Sequence, residues 1–406
     1  GGGNNGGGNN GGGNSGIVGK PIEAVGGKAD IAELRKAFEA SSTVEVRFPG
    51  NTLEVSAAAW PDTARANGGA LVVSGEHGAY RFPAPVWKPE QWAAELGTEA
   101  SEITLRFTMA KLDGSEAEQA GSTVQAAGGK QLSDAVHFEV EAVRADGKSV
   151  PVSFGSVYAA REISTNRSVD PSKATGVQVL PDSRQIRFVP TVFRTENGVT
   201  TASLKRNGNS IYTIVQNDKS FADMAGHWAQ ADVTLLANKL VIDGVSETRF
   251  DPDRGITRAE FASLLVRSLG LSPVAASARF SDVASGAWYA LDVATAASAG
   301  LIGGFEDGSF RPDQSVKREE QAAMLVRALS YAGFDIGVSE SKQAEILGRF
   351  RDTASLSWAR KDLAAAINAG LIDGMTGNTL EAQGLATRAQ SAAMLKRLLV
   401  KADFID

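Results

Sequence analysis

The segment Ile256-Thr257-Arg258-Ala259-Glu260 returns twice, in altered form, further along the chain. The second copy reads Val316-Lys317-Arg318-Glu319-Glu320, and the third reads Ala386-Thr387-Arg388-Ala389-Gln390. Each copy begins an apolar pattern with the 3.6-residue period of a helix, and each holds an arginine at the same position. Three copies of one segment indicate a repeat architecture, which has to be recognised before other elements are assigned.

Two further residue types recur at fixed distances from these arginines. A tryptophan stands 30 residues before each arginine, and a glycine stands 14 residues before it. The tryptophans are Trp228, Trp288 and Trp358, and the glycines are Gly244, Gly304 and Gly374. The spacing predicts three units, each with a first helix, a glycine-containing loop and a second helix that carries the arginine. We place these units at 221–271 (repeat 1), 280–333 (repeat 2) and 350–402 (repeat 3).

Each repeat also opens with a Phe-x-Asp segment. The aspartates are Asp223, Asp282 and Asp352, and their position predicts N-caps of the first helices. The segments that connect the repeats, 270–279 and 331–349, are longer than a tight turn needs, so we expect a short helix in each.

The chain before the repeats follows a different pattern. Residues 1–16 repeat glycine and asparagine, which predicts a flexible tether. From 17 to 220, short runs of alternating apolar and polar residues predict strands, with turn signals such as Glu196-Asn197-Gly198 between them. Helices are predicted over 30–40 and after Pro89. We expect a mainly β region of one or two sandwich-like units, with a boundary near 110–135, because 113–130 shows no clear period.

Composition excludes several classes of function. The 406 residues carry a net charge of −6, which argues against a nucleic-acid partner. Because the longest apolar runs are too short to span a bilayer, we expect no membrane insertion. Cysteine is absent and the three histidines are scattered, so we predict no disulfide, metal site or cofactor. Without a nucleophile elbow or a phosphate-binding loop, we predict no enzyme activity, and we expect the chain to be the C-terminal part of a longer protein.

The three copies resemble S-layer homology repeats, the modules that hold proteins on the walls of Gram-positive and related bacteria. The Thr-Arg-Ala-Glu signature is intact in the first copy and departs to Lys-Arg-Glu-Glu and Thr-Arg-Ala-Gln in the others. More weakly, the β region, which ends in 205–212, resembles segments that precede such repeats in Bacillales surface proteins, including those of Paenibacillus. The resemblance implies an all-α pseudo-threefold prism, in which one helix of each repeat meets at a central bundle and grooves lie between neighbouring repeats.

This resemblance also implies a ligand, the secondary cell wall polymer, which typically carries a pyruvate ketal on N-acetylmannosamine. The planar carboxylate of a pyruvate ketal suits the fork of donors on arginine. Unpaired N–H groups in the first turn of the arginine helix also favour an anion. The expected ligand-binding residues are Arg258, Arg318, Arg388, Trp228, Trp288, Trp358, Asp243, Gly244, Gly303, Gly304, Asp373 and Gly374. The implied location is extracellular, on the cell wall of a Gram-positive bacterium.

Each of these residues also has a purely structural interpretation. The arginines could pair with an acid or with a neighbouring repeat, tryptophans at helix starts are usually core, and glycines after helices are usually C-caps. Glu260 and Glu320 fit first-turn acids favoured by the helix dipole. Because the second copy departs most from the signature, we expect Arg318 to be the weakest ligand contact and the grooves to differ in affinity.

Three functions remain open at this point. The first is non-covalent anchoring to the wall polymer by the repeats. The second is a structural subunit of a self-assembling surface lattice. In the third, the chain is the wall anchor and spacer of an extracellular glycoside hydrolase whose catalytic part lies outside it.

Overall fold

The computed structural model describes residues 19–274, 279–356 and 358–406. Contacts divide this part of the chain into two compact units. The first unit holds the described residues up to Lys111 together with Val136–Ser153 and Ala159–Ile163, and the second holds Leu112–Ala135, Phe154–Tyr158 and the described residues of Ser164–Asp406. The predicted tether 1–16 and residues 275–278 of the first connecting segment lie outside the described residues.

The described residues form fifteen strands and eleven helices. The strands are β1 (Ile22–Glu23), β2 (Thr43–Arg47), β3 (Thr52–Ser56), β4 (Ala70–Gly75), β5 (Gly78–Pro83), β6 (Thr104–Lys111), β7 (Lys130–Gln131), β8 (Val136–Val143), β9 (Ser149–Pro151), β10 (Ala159–Thr165), β11 (Ala174–Leu180), β12 (Gln185–Val189), β13 (Thr191–Glu196), β14 (Val199–Arg206) and β15 (Ser210–Gln216). The helices are α1 (Ile31–Ala40), α2 (Asp62–Ala66), α3 (Pro89–Leu96), α4 (Gly114–Ala126), α5 (Gln230–Asn238), α6 (Arg258–Ser268), α7 (Ala290–Ser298), α8 (Arg318–Tyr331), α9 (Glu340–Leu347), α10 (Arg360–Asn368) and α11 (Arg388–Lys401). In these residues, no helix is long and apolar enough to cross a membrane.

The first unit is built from two sheets. In one, β1, β2 and β4 are parallel, and β5 and β10 extend it in antiparallel fashion. The other is antiparallel, in the order β3–β6–β8–β9. Rings from the two sheets meet: Tyr80 of β5 lies 6.1 Å from Phe107 of β6 and 6.0 Å from Phe138 of β8, between ring centroids. The prediction of a mainly β N-terminal region is therefore confirmed.

Both helices predicted for the first unit are present. Asp30 caps α1, because its carboxylate accepts hydrogen bonds from the N–H groups of Ala32 and Glu33 at 2.9 and 2.8 Å. In α3, Trp92 and Leu96 lie on the buried face, as their spacing predicts.

Helix α4 was missed by the sequence prediction. It occupies the stretch that shows no clear apolar period, in the second unit. Its buried face consists of Ala120, Thr123 and Val124, and it packs against valines of β11 and β15. Because such a face is small and partly polar, it produces only a weak helical signal in the sequence.

The second unit combines strands with the three repeats. Strands β12, β11 and β15 form an antiparallel sheet, and β13 and β14 form a hairpin. The left-handed φ angles of Asn197 (51°) and Gly198 (80°) confirm the predicted turn between them. The sequence prediction had separated 17–220 from the repeats. In the structure, the buried Arg206 of β14 donates to the Ser272 Oγ at 2.7 Å and to the carbonyl oxygen of Gly270.

Each repeat contains the predicted pair of helices: α5 and α6, α7 and α8, and α10 and α11. They share one continuous hydrophobic core, to which each repeat contributes the apolar face of both of its helices. The expected short helix of the second connecting segment is also present as α9.

The three aspartates of the Phe-x-Asp segments do not cap the first helices, so that prediction is wrong. The N-cap positions of α5, α7 and α10 hold Ala229, Tyr289 and Ala359. Each aspartate carboxylate instead accepts hydrogen bonds from two consecutive N–H groups in the loop that leads to the second helix, at 2.7–2.9 Å. The donors are Phe250 and Asp251 for Asp223, Phe310 and Arg311 for Asp282, and Leu380 and Glu381 for Asp352.

Each of these carboxylates binds a residue whose backbone conformation is strained. The second donor of each pair is a non-glycine residue with a left-handed φ, of 62° at Asp251, 58° at Arg311 and 49° at Glu381. Left-handed backbone is costly for residues other than glycine. We infer that the aspartate stabilises this turn in every repeat, which explains its fixed place in the sequence.

The three repeats close on one another through a ring of backbone hydrogen bonds. Ile256 N–H donates to the carbonyl of Ala386 at 3.0 Å, Val316 donates to Ile256 at 2.9 Å, and Ala386 donates to Val316 at 3.0 Å. Each motif therefore begins in contact with the corresponding residue of both other repeats.

Candidate functional site

The motif arginines lie where one repeat meets the next. Each extends from the start of its helix to the glycine-containing loop of the following repeat, and the third returns to the first. We name the three junctions after their arginines: the Arg258 groove (loop 303–310), the Arg318 groove (loop 373–380) and the Arg388 groove (loop 243–250).

Each guanidinium is oriented by two backbone carbonyls of its loop. Its Nε donates to the residue at the end of the loop, at 2.8–3.0 Å: Phe310, Leu380 and Phe250 in the order of the grooves. Its Nη2 donates to the residue before the motif glycine, at 2.9–3.3 Å: Gly303, Asp373 and Asp243. The pairing with a neighbouring repeat that the sequence left open is thus present in all three grooves, and it fixes the plane of each guanidinium.

Burial affects all three arginines in the same direction. The side chains of Arg258 and Arg388 are only 5% and 10% exposed. Loss of hydration lowers the pKa of Arg258, Arg318 and Arg388, whereas nearby carboxylates oppose this change. An arginine remains charged in spite of such a shift, and its charge acts more strongly at low local dielectric.

The first two N–H groups of each motif helix are not available to an anion, contrary to expectation. Arg258 N–H donates to the carbonyl of Gln314 at 2.9 Å, and Ala259 N–H donates to Pro312 at 3.0 Å. The corresponding groups of repeats 2 and 3 are bonded in the same way to the following repeat. The arginine side chains are therefore the donors that remain for an anionic ligand.

The motif tryptophans are not core residues. Trp228 and Trp288 are each 65% exposed, and Trp358 is 54% exposed. The interpretation of these residues as core is wrong, because the apolar positions of the first helices already fill the space beneath them. Three flat aromatic faces are thus presented to solvent.

The motif glycines are required by close packing and not by helix termination. The helix C-terminal residues in left-handed conformation are Leu240, Gly300 and Gly370, so the C-cap interpretation of Gly244, Gly304 and Gly374 is wrong. A Cβ added to these three glycines would lie 2.4–2.6 Å from a ring carbon of Phe221, Phe280 or Phe350. The phenylalanine of each Phe-x-Asp segment therefore excludes any side chain at this point of the loop.

The residues before the motif glycines differ among the repeats. The Asp243 carboxylate pairs with Arg267 at 2.7 Å, and the Asp373 carboxylate pairs with Arg397 at 2.6 Å. A Cβ added to Gly303, at the same place in repeat 2, would meet no atom within 4 Å. The backbone carbonyls of these residues hold the arginines, and the loop surface beside Gly303 is open.

The residues at the last motif position have a capping role and, at Glu320, an ion-pairing role as well. Thr257 and Glu260 form a capping box at the start of α6, and Thr387 and Gln390 form one at α11. The sequence predicted only that Glu260 and Glu320 are first-turn acids favoured by the helix dipole. It did not reveal that Glu320 also forms an ion pair with Arg258 at 2.7 Å, because these residues are 62 positions apart.

The Arg388 groove contains a narrow cleft of about 10 Å³, roughly the space that one water molecule needs. Its lining includes Arg388, Asp243, Phe250 and Leu264, which combine a cation with an apolar floor. Elsewhere in the described residues, no three His, Asp or Glu side chains are grouped so that they could hold a metal ion.

Comparison with known proteins agrees with this architecture. The S-layer homology domain profile matches residues 220–262, 279–322 and 349–392, roughly a third of the chain. An amylopullulanase of Thermoanaerobacterium thermosulfurigenes is 32% identical over 59% of this chain and 12% of its own length. An S-layer protein of Bacillus thuringiensis subsp. finitimus is 29% identical over 44% of this chain and 21% of its own length.

A middle cell wall protein of Brevibacillus brevis is 33% identical over 38% of this chain and 13% of its own length. The chain thus spans less than a quarter of each of these relatives. S-layer homology domains are non-catalytic anchoring modules that bind cell wall polymers, and the enzymes among the relatives owe their activity to other domains. The chain carries three S-layer homology repeats, which assign it to the cell surface as an anchored protein.

Proposed function

We propose that residues 221–406 anchor the chain non-covalently to a secondary cell wall polymer that carries pyruvylated amino sugars, on the wall of a Gram-positive bacterium. The observation that carries this proposal is the repeated arginine site. Three guanidinium groups stand at equivalent junctions, and each is fixed by two carbonyls of the neighbouring loop. A donor group that is already oriented loses little conformational entropy when a carboxylate binds it.

The cyclic contacts of the repeats support a pseudo-threefold prism for this region. Each motif begins with a backbone hydrogen bond to the next motif around a closed ring. In such a prism every arginine is supplied by one repeat and its loop by another, so that each groove depends on the integrity of two repeats.

The exposed tryptophans supply the apolar contact that a sugar needs. Aromatic rings with more than half of their surface in water are uncommon in a stable core and are typical of binding surfaces. We propose that Trp228, Trp288 and Trp358 pack against sugar rings of the polymer while the arginines bind its carboxylates.

Co-sedimentation of the whole chain with purified cell walls tests the proposal. Binding should disappear when the polymer is stripped from the walls, and it should weaken when only the pyruvate ketals are removed. Arg388→Ala should weaken binding about tenfold or more, since a hydrogen bond to a charged group contributes roughly 1.5–3 kcal/mol. Arg349→Ala is the matched control, because Arg349 is an exposed arginine that is not at a motif position and pairs with Glu345 of α9.

Two outcomes of this experiment would contradict the proposal. Equal binding to stripped and intact walls would show that another wall component is recognised. Unchanged binding after replacement of both Arg318 and Arg388, with the fold retained, would leave these arginines as structural ties between repeats.

The cargo of this anchor remains a choice between two proposals. The relatives include an S-layer protein and an amylopullulanase, so the anchored protein is either a lattice subunit or a glycoside hydrolase with a wall anchor. Two observations distinguish them. Ordered arrays of the isolated protein in electron micrographs favour the lattice subunit. A glycosidase domain encoded in the same gene favours the enzyme.

A further inference from the structure

The three grooves differ in the partner of one arginine atom, Nη1. In each groove Nε and Nη2 are bonded to loop carbonyls, which leaves Nη1 as the edge that faces away from the loop. The partner of Nη1 is therefore the feature that distinguishes one groove from another.

In the Arg258 groove this edge is already occupied. Arg258 Nη1 donates to Glu320 Oε1 at 2.7 Å, and the side chain of Glu320 is only 12% exposed. The other carboxylate oxygen of Glu320 accepts the N–H of Lys317 at 2.8 Å. A carboxylate of the chain thus stands where the carboxylate of a ligand would bind.

In the Arg388 groove the equivalent carboxylate, that of Glu260, is hydrogen-bonded to a different cation. Glu260 Oε1 lies 3.9 Å from Arg388 Nη1 but accepts a hydrogen bond from Arg254 Nη2 at 2.6 Å. The positions that correspond to Arg254 are Gln314 and Gly384, so this competing cation is specific to repeat 1.

In the Arg318 groove no carboxylate competes at close range. The last motif position of repeat 3 is Gln390, whose Oε1 accepts the N–H of Thr387 at 3.1 Å. Among the described residues, no carboxylate oxygen lies within 4.0 Å of the Arg318 guanidinium. Of the acids further away, the exposed Glu381 acts most strongly on Arg318, and its carboxylate accepts a hydrogen bond from Thr379 Oγ1 at 3.5 Å. Asp352 is bonded to backbone N–H groups, and Asp373 is paired with Arg397.

Displacement of Glu320 from Arg258 is costly. A ligand carboxylate in that position would leave a largely buried glutamate without its cation, and an unpaired buried charge is strongly unfavourable. At Arg318 and Arg388 no carboxylate of the described residues is hydrogen-bonded to Nη1, so a ligand there has none to displace from such a bond.

We propose that Glu320 closes the Arg258 groove to anionic sugars, so that the chain binds them at the Arg318 and Arg388 grooves. This inference rests on the proposed function, because it specifies which of the three sites the polymer occupies. It also reverses the order expected from the sequence, in which Arg318 was the weakest contact because its own motif departs most. The residue that decides whether a groove is open is the one at the last motif position of the following repeat.

Exchanges of glutamate for glutamine at position 320, and of glutamine for glutamate at position 390, test the inference. The probe is the methyl glycoside of pyruvylated N-acetylmannosamine, and the number of bound molecules is counted by native mass spectrometry and calorimetry on the whole chain. The wild-type chain should bind two molecules. Glu320→Gln should open the Arg258 groove and give three, whereas Gln390→Glu should close the Arg318 groove and give one, with at least about tenfold weaker binding at the closed site.

A third variant addresses the Arg388 groove. Arg254→Gln should free Glu260 to pair with Arg388 and should also leave one bound molecule. Glu340→Gln is the control, because it removes one exposed negative charge from the start of α9 and should leave the count at two.

The outcomes separate this inference from the proposed function. Three equal sites in the wild type, or a count that stays at two in Glu320→Gln and in Gln390→Glu, would overturn the assignment of grooves while anchoring stands. No binding by the wild type, or equal binding of the probe without its pyruvate ketal, would overturn the proposed function and this inference with it.

Discussion

The six tryptophans of the chain divide evenly between two contrasting environments. Those of the first unit, Trp60, Trp87 and Trp92, are 2%, 4% and 2% exposed, whereas those of the repeats are 54–65% exposed. Trp60 stacks on Phe38 with ring centroids 4.5 Å apart, and Trp87 donates its Nε1–H to the carbonyl of Ala57 at 3.1 Å. The same residue type is therefore a core element in one region and a solvent-facing surface in the other.

This contrast reflects how each region is stabilised. The first unit depends on large aromatic side chains that fill the space between its sheets. The repeats instead depend on polar ties at recurring positions: an aspartate on a left-handed turn, an arginine on two carbonyls, and a glycine against a phenylalanine ring. Because these ties fix the loops, the tryptophans of the repeats are not needed in the core and are available to bind a ligand.

The largest expected effect is a test of the aromatic core. Trp60→Ala should lower the free energy of unfolding of the first unit by about 3–5 kcal/mol, since it removes a stacked and fully buried ring. Calorimetry should show one unfolding transition shifted to a much lower temperature. Wall binding should be retained at temperatures below that transition. The repeats should unfold in the transition at which wall binding is lost. An equal shift of that transition would contradict the proposed difference in how the two regions are stabilised.

A smaller effect is expected from the glycine loops, where two neighbouring residues give a matched pair. Gly304→Ala should destabilise the second unit by about 1–3 kcal/mol, because its Cβ would lie 2.6 Å from the Phe280 ring. Gly303→Ala should change stability by less than about 0.5 kcal/mol, since nothing lies within 4 Å of the added methyl group. Chemical denaturation of both variants measures the difference, and equal losses would refute the packing explanation.

The sequence predicted those features of the fold that follow from local patterns. Apolar alternation located the strands, and 3.6-residue periodicity located the paired helices of the repeats. The helical spacing of Ile31, Leu34 and Phe38 predicted the helix over 30–40 that the structure confirms as α1. Helix α4 was missed because its buried face is built from alanine, threonine and a single valine. Local patterns are informative only where the apolar face is wide enough to be recognised.

The roles of the recurring polar residues could not be predicted from their neighbours in the sequence. Asp223 looked like an N-cap because it precedes a helix, yet its partners Phe250 and Asp251 lie 27 and 28 residues further along. Arg258 and Glu320 come together only when the repeats close on one another. The spacing identified the correct residues, but the contacts between repeats decide what each residue does.

The smallest expected change in stability comes from an exposed tryptophan, which completes the comparison. Trp288→Ala should alter the free energy of unfolding by less than about 0.5 kcal/mol, because its ring is 65% exposed and lies edge to face with Tyr289, 5.3 Å between ring centroids. If the ring binds a sugar, the same variant should weaken wall co-sedimentation, whereas the folded state remains intact. Leu291→Ala is a suitable control, since Leu291 is an exposed apolar residue of the same helix start. A loss of stability comparable to that of Trp60→Ala would show that the exposed ring is structural, and unchanged binding would remove the tryptophans from the proposed site while leaving the arginines in it.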